Sequence, residues 1–175
     1  MMLIFFSEGI IMVLGDVIAQ IYLEQIPLRQ LDMHRSARFG LIGMTFVAPT
    51  VRIWYLSMEK MLGSSVTLAN TFRKVGIDQL AFAPLLTAGI VAYIGKLQGQ
   101  STSDIKVKLK QELKSIVITG WKIWPTVQIV NFYFVPFLVR PLVVGAIALI
   151  WNTYLAWKTR PMPIPALETL ETALH

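Results

Sequence analysis

The chain has 175 residues, 55% of them hydrophobic and only 15% charged, with a mean hydropathy of +0.60 and a net charge of +6. Soluble domains carry roughly a quarter charged residues, so this chain lacks the polar surface that covers a water-soluble globule. Composition excludes a soluble enzyme and points to a small, all-α polytopic membrane protein.

There is no cysteine, which removes disulfides, thiolate metal sites, iron–sulfur clusters and a Cys nucleophile. The two histidines, His34 and His175, are too few for a His-based metal site or a catalytic triad. No cofactor is expected. The first basic residue is Arg29, so neither a basic signal region nor an arginine-bearing presequence is expected, and targeting is expected to be internal.

A helical span needs about 20 apolar residues. Residues 2–23 form the first candidate, interrupted by Glu8, Asp16 and Gln20; Pro27 and a polar link at 28–37 follow. Residues 38–62 form the second, with Pro49 and Arg52 inside it, and a Gly-, Ser- and Thr-rich link leads to a third at 73–95, which holds Asp78, Gln79 and Pro84. The stretch 96–115 is polar. Its Lys106, Lys108, Lys110 and Lys114, with Asp104 as a start cap, predict an amphipathic helix at the membrane surface whose lysines meet anionic headgroups. From 116 to 157 the chain is apolar and divided by Pro125, Pro136 and Pro141. Residues 139–157 make the last span, with Trp151, Tyr154 and Trp157 as an interfacial belt.

The predicted architecture is four transmembrane helices in one domain over 1–158, with an amphipathic or broken segment at 104–137 before the last span. Residues 116–137 are either re-entrant or a full fifth span. Four spans place both termini on one side, and residues 159–175 read as an exposed tail opening on Pro161, Pro163 and Pro165. On that topology eight basic residues of the first and third links oppose five on the other side, which puts the eight on the matrix or cytosolic face. No repeat of 20–50 residues is visible.

Charge inside spans is the main functional signal, because a charged side chain at the bilayer centre costs at least ~2.5–3.5 kcal/mol and so faces the bundle interior or water. Glu8, Asp16, Arg52 and Asp78 are such groups. Arg38, Thr45, Arg52 and Glu59 recur every seven residues along one helical stripe. Gly40 and Gly43 beside it allow a neighbouring helix to come close. Arg52 is expected to be buried against one or more of the three carboxylates, either holding helices together or lining an aqueous pathway. Gln128 and Asn131 share a face and need partners in lipid. In the last span Pro141, Gly145, Ala148 and Asn152 form a small-residue packing face. Pro49, Pro84, Pro125 and Pro136 are candidate kinks.

The ordered residues resemble the Mpv17/PMP22 family of integral organelle membrane proteins. Trp124-Pro125, Gln128, Asn131-Phe132, Val135-Pro136, Arg140, Trp151-Asn152, Tyr154-Leu155 and Trp157-Lys158 are similar to its C-terminal signature. Gly15-Asp16 and Gln20 match its first span. Asp32, Arg35, Arg38, Gly43, Pro49 and Trp54-Tyr55 match its first link and second span, and Asp78-Gln79 with Phe82-Ala83-Pro84 its third. The resemblance covers about 9–158. It implies a four-span protein of the mitochondrial inner membrane, or alternatively the peroxisomal membrane. It also implies a weakly selective channel activity linked to membrane potential, solute and reactive-oxygen homeostasis and mitochondrial DNA maintenance. The family brings no catalytic residues and no cofactor. Asp16, Asp78, Gln79, Gln128, Asn131, Arg140 and Asn152 fall on its matching positions. The expected partners are the lipid bilayer and either a homo-oligomer or a larger membrane complex, without direct nucleic-acid binding. A non-conducting scaffold and a metabolite carrier are the alternatives.

Overall fold

The structure, a computed structural model, describes residues 2–63, 67–135 and 140–160. These residues are all helical apart from short connections. Helix α1 is regular over Met2–Ile18 and closes in a π-turn, Ala19–Leu23. Helix α2 is Met33–Leu62 and α3 is Leu68–Leu97. Helix α4 is Thr102–Tyr133 and α5 is Arg140–Lys158. Among the described residues three helices, α1 to α3, are long and apolar enough to cross a membrane. Their outward faces are apolar, with Ile53, Leu80 and Leu85 each about two-thirds or more exposed, as lipid contact requires.

Local signals set the helix starts. The Asp32 carboxylate accepts the Arg35 backbone N–H at 2.9 Å to begin α2, and the Thr67 hydroxyl accepts that of Asn70 to begin α3. The predicted cap at Asp104 is one half of a capping box. Ser101 is the cap, its Oγ accepting from Asp104 N–H at 3.1 Å, while the Asp104 carboxylate accepts from Ser101 N–H at 2.9 Å. The Ser101 hydroxyl, 2.6 Å from the carboxylate, and the Ser101 N–H together hold the Asp104 carboxyl below its usual range. Gly99, at φ 76°, turns the chain between α3 and α4 in a left-handed conformation suited to glycine.

The expected surface helix and the ambiguous apolar stretch are one unbroken helix, α4, which runs through Pro125 without ending. It lies antiparallel along α3: Ile105 packs where a Cβ on Gly95 would sit, and Trp121 bonds the Gln79 carbonyl. Lys106, Lys110 and Lys114 are exposed, but Lys108 is buried rather than lipid-facing. Helices α1 and α5 run parallel, Ile11 beside Gly145 and Gly15 against Asn152. Residues 2 and 160 therefore lie at opposite ends of the bundle, not at one end as four spans predicted. The side chains of Asn131, Arg140 and Pro141, all of Pro136, and the 161–175 tail lie outside the described residues.

An internal symmetry emerges that residue identities hide. Helices α2 and α3 each have 30 residues, and each carries a π-turn, Gly43–Val47 and Asp78–Phe82, followed by Pro49 or Pro84. Every one of these features is displaced by 35 residues. Only Arg38/Arg73, Ile42/Ile77, Ala48/Ala83, Pro49/Pro84 and Leu62/Leu97 coincide in identity, too few to read as a repeat. The pairing of π-turn with proline has a steric cause. A helical proline clashes with the carbonyl four residues back, and widening that turn moves Thr45 or Leu80 out of its way.

Core residues gather at one end. Met12, Phe39, Ile42, Val91, Ile94 and Ala156 are buried there, drawn from the C-terminal halves of α1, α3 and α5 and the start of α2. The predicted aromatic belt is part of this packing. Trp124 meets Trp151 edge-on, and the Trp151, Tyr154 and Trp157 rings touch in series at 5.4 and 6.3 Å, against the core.

Candidate functional site

The intramembrane polar residues separate into two sites. The first closes the end of the bundle where α1 and α5 finish. Asp16 is fully buried, and its Oδ2 accepts from Gln20 Nε2 at 2.8 Å and Ser36 Oγ at 2.7 Å. Its Oδ1 stands 2.8 Å from Arg35 Nε, a close charge contact rather than an aligned hydrogen bond. Arg35 also grips Glu24 with both terminal nitrogens, at 2.8 and 2.7 Å, and donates to the Ala156 carbonyl at 3.2 Å. Gln20, sitting in the π-turn of α1, bonds the Asp32 backbone in both directions and so ties down the first link. One guanidinium thus joins α1, its link, α2 and the end of α5.

Lys108 completes this closure. It is 2% exposed and donates to the carbonyls of Thr159 and Arg160 at 2.5 and 2.6 Å, filling acceptors that the end of a helix leaves free. Burial pushes its pKa down to about 8. Beside it, Lys158 pairs with Glu112 at 2.6 Å.

The second site is a cavity of about 550 Å³ in the opposite half of the bundle, within the size range of small-molecule sites. All five helices reach it, with Glu8 from α1, Arg52 from α2, Asp78 from α3, Gln128 from α4 and Asn152 from α5. Ile90, Ile116 and Leu155 form its floor and belong at the same time to the core. Asp78 is held in place. Its carboxylate accepts from Trp54 Nε1 at 2.8 Å and from Gln79 Nε2 at 2.9 Å, while Trp54 stacks on Phe82 at 4.5 Å. Gln128 hydrogen-bonds Tyr55.

The π-turn of α3 explains a further contact. Its widened pattern gives the Ala83 N–H to the Asp78 carbonyl, and the Gln79 carbonyl would next face Pro84, which has no N–H. Trp121 Nε1 supplies the missing donor at 2.8 Å. The aromatic residue thus repairs a backbone defect at the cavity wall.

The expected pairing of Arg52 is overturned. Asp16 pairs with Arg35, Asp78 with Trp54 and Gln79, and among the described residues Arg52 has no carboxylate within 4.0 Å. Arg52 and Glu59 do line the cavity together, yet Arg38 and Thr45 do not. The extra residue in the π-turn at 43–47 rotates the helix phase, so the seven-residue stripe breaks there. Gln79, Gln128 and Asn152 line the cavity, whereas Asp16 and Gln20 lie in the closed end. Pro49 and Pro84 follow π-turns, and Pro125 lies inside α4. The backbones come close at a predicted glycine: a Cβ on Gly43 would meet Gly9 Cα at 3.0 Å. In α5, by contrast, Gly145 has only Ile11 at 3.9 Å. Arg35, Trp54 and Lys108 were not singled out from the sequence as buried polar groups. Arg35 carried one signal, its place three residues after a helix-capping Asp32; Trp54 and Lys108 carried none.

An apolar-faced helical bundle with ionic groups sheltered inside it defines an integral membrane protein. A sequence profile described as the Mpv17 / PMP22 family matches residues 95–156. Mitochondrial inner membrane protein Mpv17 of Rattus norvegicus is 36% identical over 156 residues, covering 89% of this chain and 88% of that protein. The Xenopus laevis protein of the same name is 39% identical over 153 residues, 87% of this chain and 85% of its own. The human one is 35% identical over 152 residues, 87% and 86%. The chain belongs to the Mpv17 / PMP22 family, as a membrane protein of the mitochondrial inner membrane. No solved structure matches it.

Proposed function

We propose that the protein is a weakly selective channel of the inner membrane whose conducting path runs through the cavity. One observation carries this reading: five helices converge on about 550 Å³ of internal space walled by both signs of charge and by amides. Such a mixed lining lacks the single-sign ring that gives strong ion selectivity. All five helices are read as spans, because α3 ends and α5 begins at opposite ends of the bundle and α4 must cross between them. The 19 residues of α5 reach about 28 Å, enough for the hydrocarbon core. The apolar half of α4 lies alongside α3 at membrane depth.

The antiparallel order also sharpens orientation. Lys158 and Arg160 join the end that carries Arg29, Arg35, Arg38, Lys96, Lys106, Lys108, Lys110 and Lys114, so ten basic residues stand at that end. Four, Lys60, Arg73, Lys74 and Arg140, stand at the other. The closed end is therefore assigned to the matrix, and the cavity faces the intermembrane space. A compartment sealed at one end also favours a second reading, a metabolite carrier that opens alternately.

The roles in membrane potential, solute and reactive-oxygen balance and mitochondrial DNA maintenance belong to this proposal, as does a homo-oligomer or larger complex in the bilayer. No catalytic role is assigned. Nucleic acid is not read as a partner. The test is conductance of the purified protein in planar bilayers across voltage, pH and redox conditions. Channel events are expected, and silence throughout with saturable uptake of one solute would turn the assignment to a carrier. Silence in both assays would leave the scaffold.

A further inference from the structure

The walls of the cavity leave a particular set of groups unanswered. Arg52 has no anion within 4.0 Å, although Glu8, Glu59 and Asp78 line the same space. Among the described residues Glu8 has neither an ion pair nor a hydrogen bond. Two amides share this condition while almost wholly buried. Gln79 is 8% exposed, and its Oε1 is a buried acceptor without a partner. Asn152 is 6% exposed and makes no side-chain hydrogen bond among the described residues. Buried polar atoms in folded proteins are nearly always satisfied, and the exceptions mark a ligand, a water or a strained site.

The charged groups make two distinct demands. An unpaired guanidinium takes a carboxylate or phosphate, ideally with two parallel hydrogen bonds. An unpaired carboxylate takes an ammonium. Between these groups the wall is apolar and aromatic, with Val51, Leu86, Trp124 and Trp151. A simple cation would leave Arg52 unanswered, and a simple anion would leave Glu8 unanswered.

We propose that the cavity binds a small zwitterion with an apolar body, its anionic group on Arg52 and its ammonium on Glu8. Two sources carry that chemistry: a free amino acid with a large apolar side chain, and the headgroup of an ethanolamine phospholipid. The assignment rests on the reading of the cavity as a solute compartment and names what enters it.

The experiment uses the purified full chain in nanodiscs of phosphatidylglycerol and measures binding of phenylalanine, phenethylamine and phenylpropionate. These three share one apolar body and differ only in charge. Phenylalanine is expected to bind at least roughly tenfold more tightly than either analogue, since each analogue forfeits about one charge-assisted contact. Arg52→Leu is expected to remove its advantage over phenethylamine, and Glu8→Gln its advantage over phenylpropionate. Repeating the titration with phosphatidylethanolamine in the discs identifies the source: competition assigns the lipid headgroup, and unchanged affinity assigns the free amino acid. Equal binding of all three compounds, or no binding of phenylalanine in either disc, overturns the proposal, and the wild-type comparison needs no variant to fold. Conductance read on the same preparation keeps the two claims apart. Zwitterion preference without channel events removes only the channel, and channel events without preference remove only the zwitterion.

Discussion

The two ends of this bundle solve the same problem in opposite ways. Both must shelter charge from lipid. At the closed end Asp16, Arg35 and Glu24 answer one another, Gln20 and Ser36 fill the remaining positions, and Phe39, Ile42 and Ile94 pack around them. At the hollow end Arg52 and Glu8 face a common space without meeting. Burial of charge is therefore a constraint that either structure or ligand can satisfy, and the groups left unsatisfied show where the protein has work outside its own packing. On the proposed function, stability and function sit on different ionic groups, a few helical turns apart along the same helices.

The largest way to break the contrast is at Arg35. Arg35→Leu strands Asp16 and Glu24 and is expected to destabilise the protein by about 3–5 kcal/mol, the range for removing one partner of a buried pair. Unfolding of the detergent-solubilised protein measures it, and a loss near zero would erase the distinction between the ends. Gly15→Val comes next. Its Cβ would sit 2.9 Å from Asn152 Cβ and 3.0 Å from the Thr153 nitrogen, so α1 and α5 must part, at about 1–3 kcal/mol, read in the same unfolding assay. Trp54→Phe removes one hydrogen bond from Asp78 and keeps a ring over Phe82. Its expected cost is about 0.6–1.7 kcal/mol, the scale of interhelical hydrogen bonds in membranes.

Lys108 supplies a pH dependence. Its folded pKa, about 8, lies below the ordinary lysine value. Holding the proton in the folded state is thus a penalty, present in full below pH 8 and relieved as pH rises toward the unfolded value. The stability difference between wild type and Lys108→Met is expected to move in favour of wild type between pH 7 and pH 10, followed by thermal unfolding at each pH. A difference that is flat with pH would show that Lys108 is solvated. The smallest stability effect is expected at Arg52. Arg52→Leu removes an unpaired charge and is expected to change stability by no more than about 0.5 kcal/mol. In bilayers it should shift reversal potentials toward cation preference, because carboxylates are the ionic groups left on the wall.

Much of the molecule was legible along the chain because the bilayer imposes a simple rule. A span must be long, apolar and helical, so the first three helices and the last could be read from runs of residues, and the glycines at 40 and 43 marked a close crossing. The capping chemistry near Asp104 was legible too, displaced by three residues to Ser101. Partnerships were not. Arg52 was expected to pair because it is charged and deep, yet a π-turn eight residues or so before it changes the side chain's phase, and period-seven counting has no access to that extra residue. Lys108 looked like one of four surface lysines, and only the return of α5 to its side buries it.

By itself the sequence determined the solvent, the helical class, the family and which residues carry unusual intramembrane polarity, since each depends on composition or on spacing within one helix. Which of those groups pair, which are left facing a cavity, and that residues 2 and 160 lie at opposite ends were decided by tertiary structure alone. The physical reason is that pairing depends on helix phase and on the direction of neighbouring helices. Both are set by packing between segments far apart in the chain.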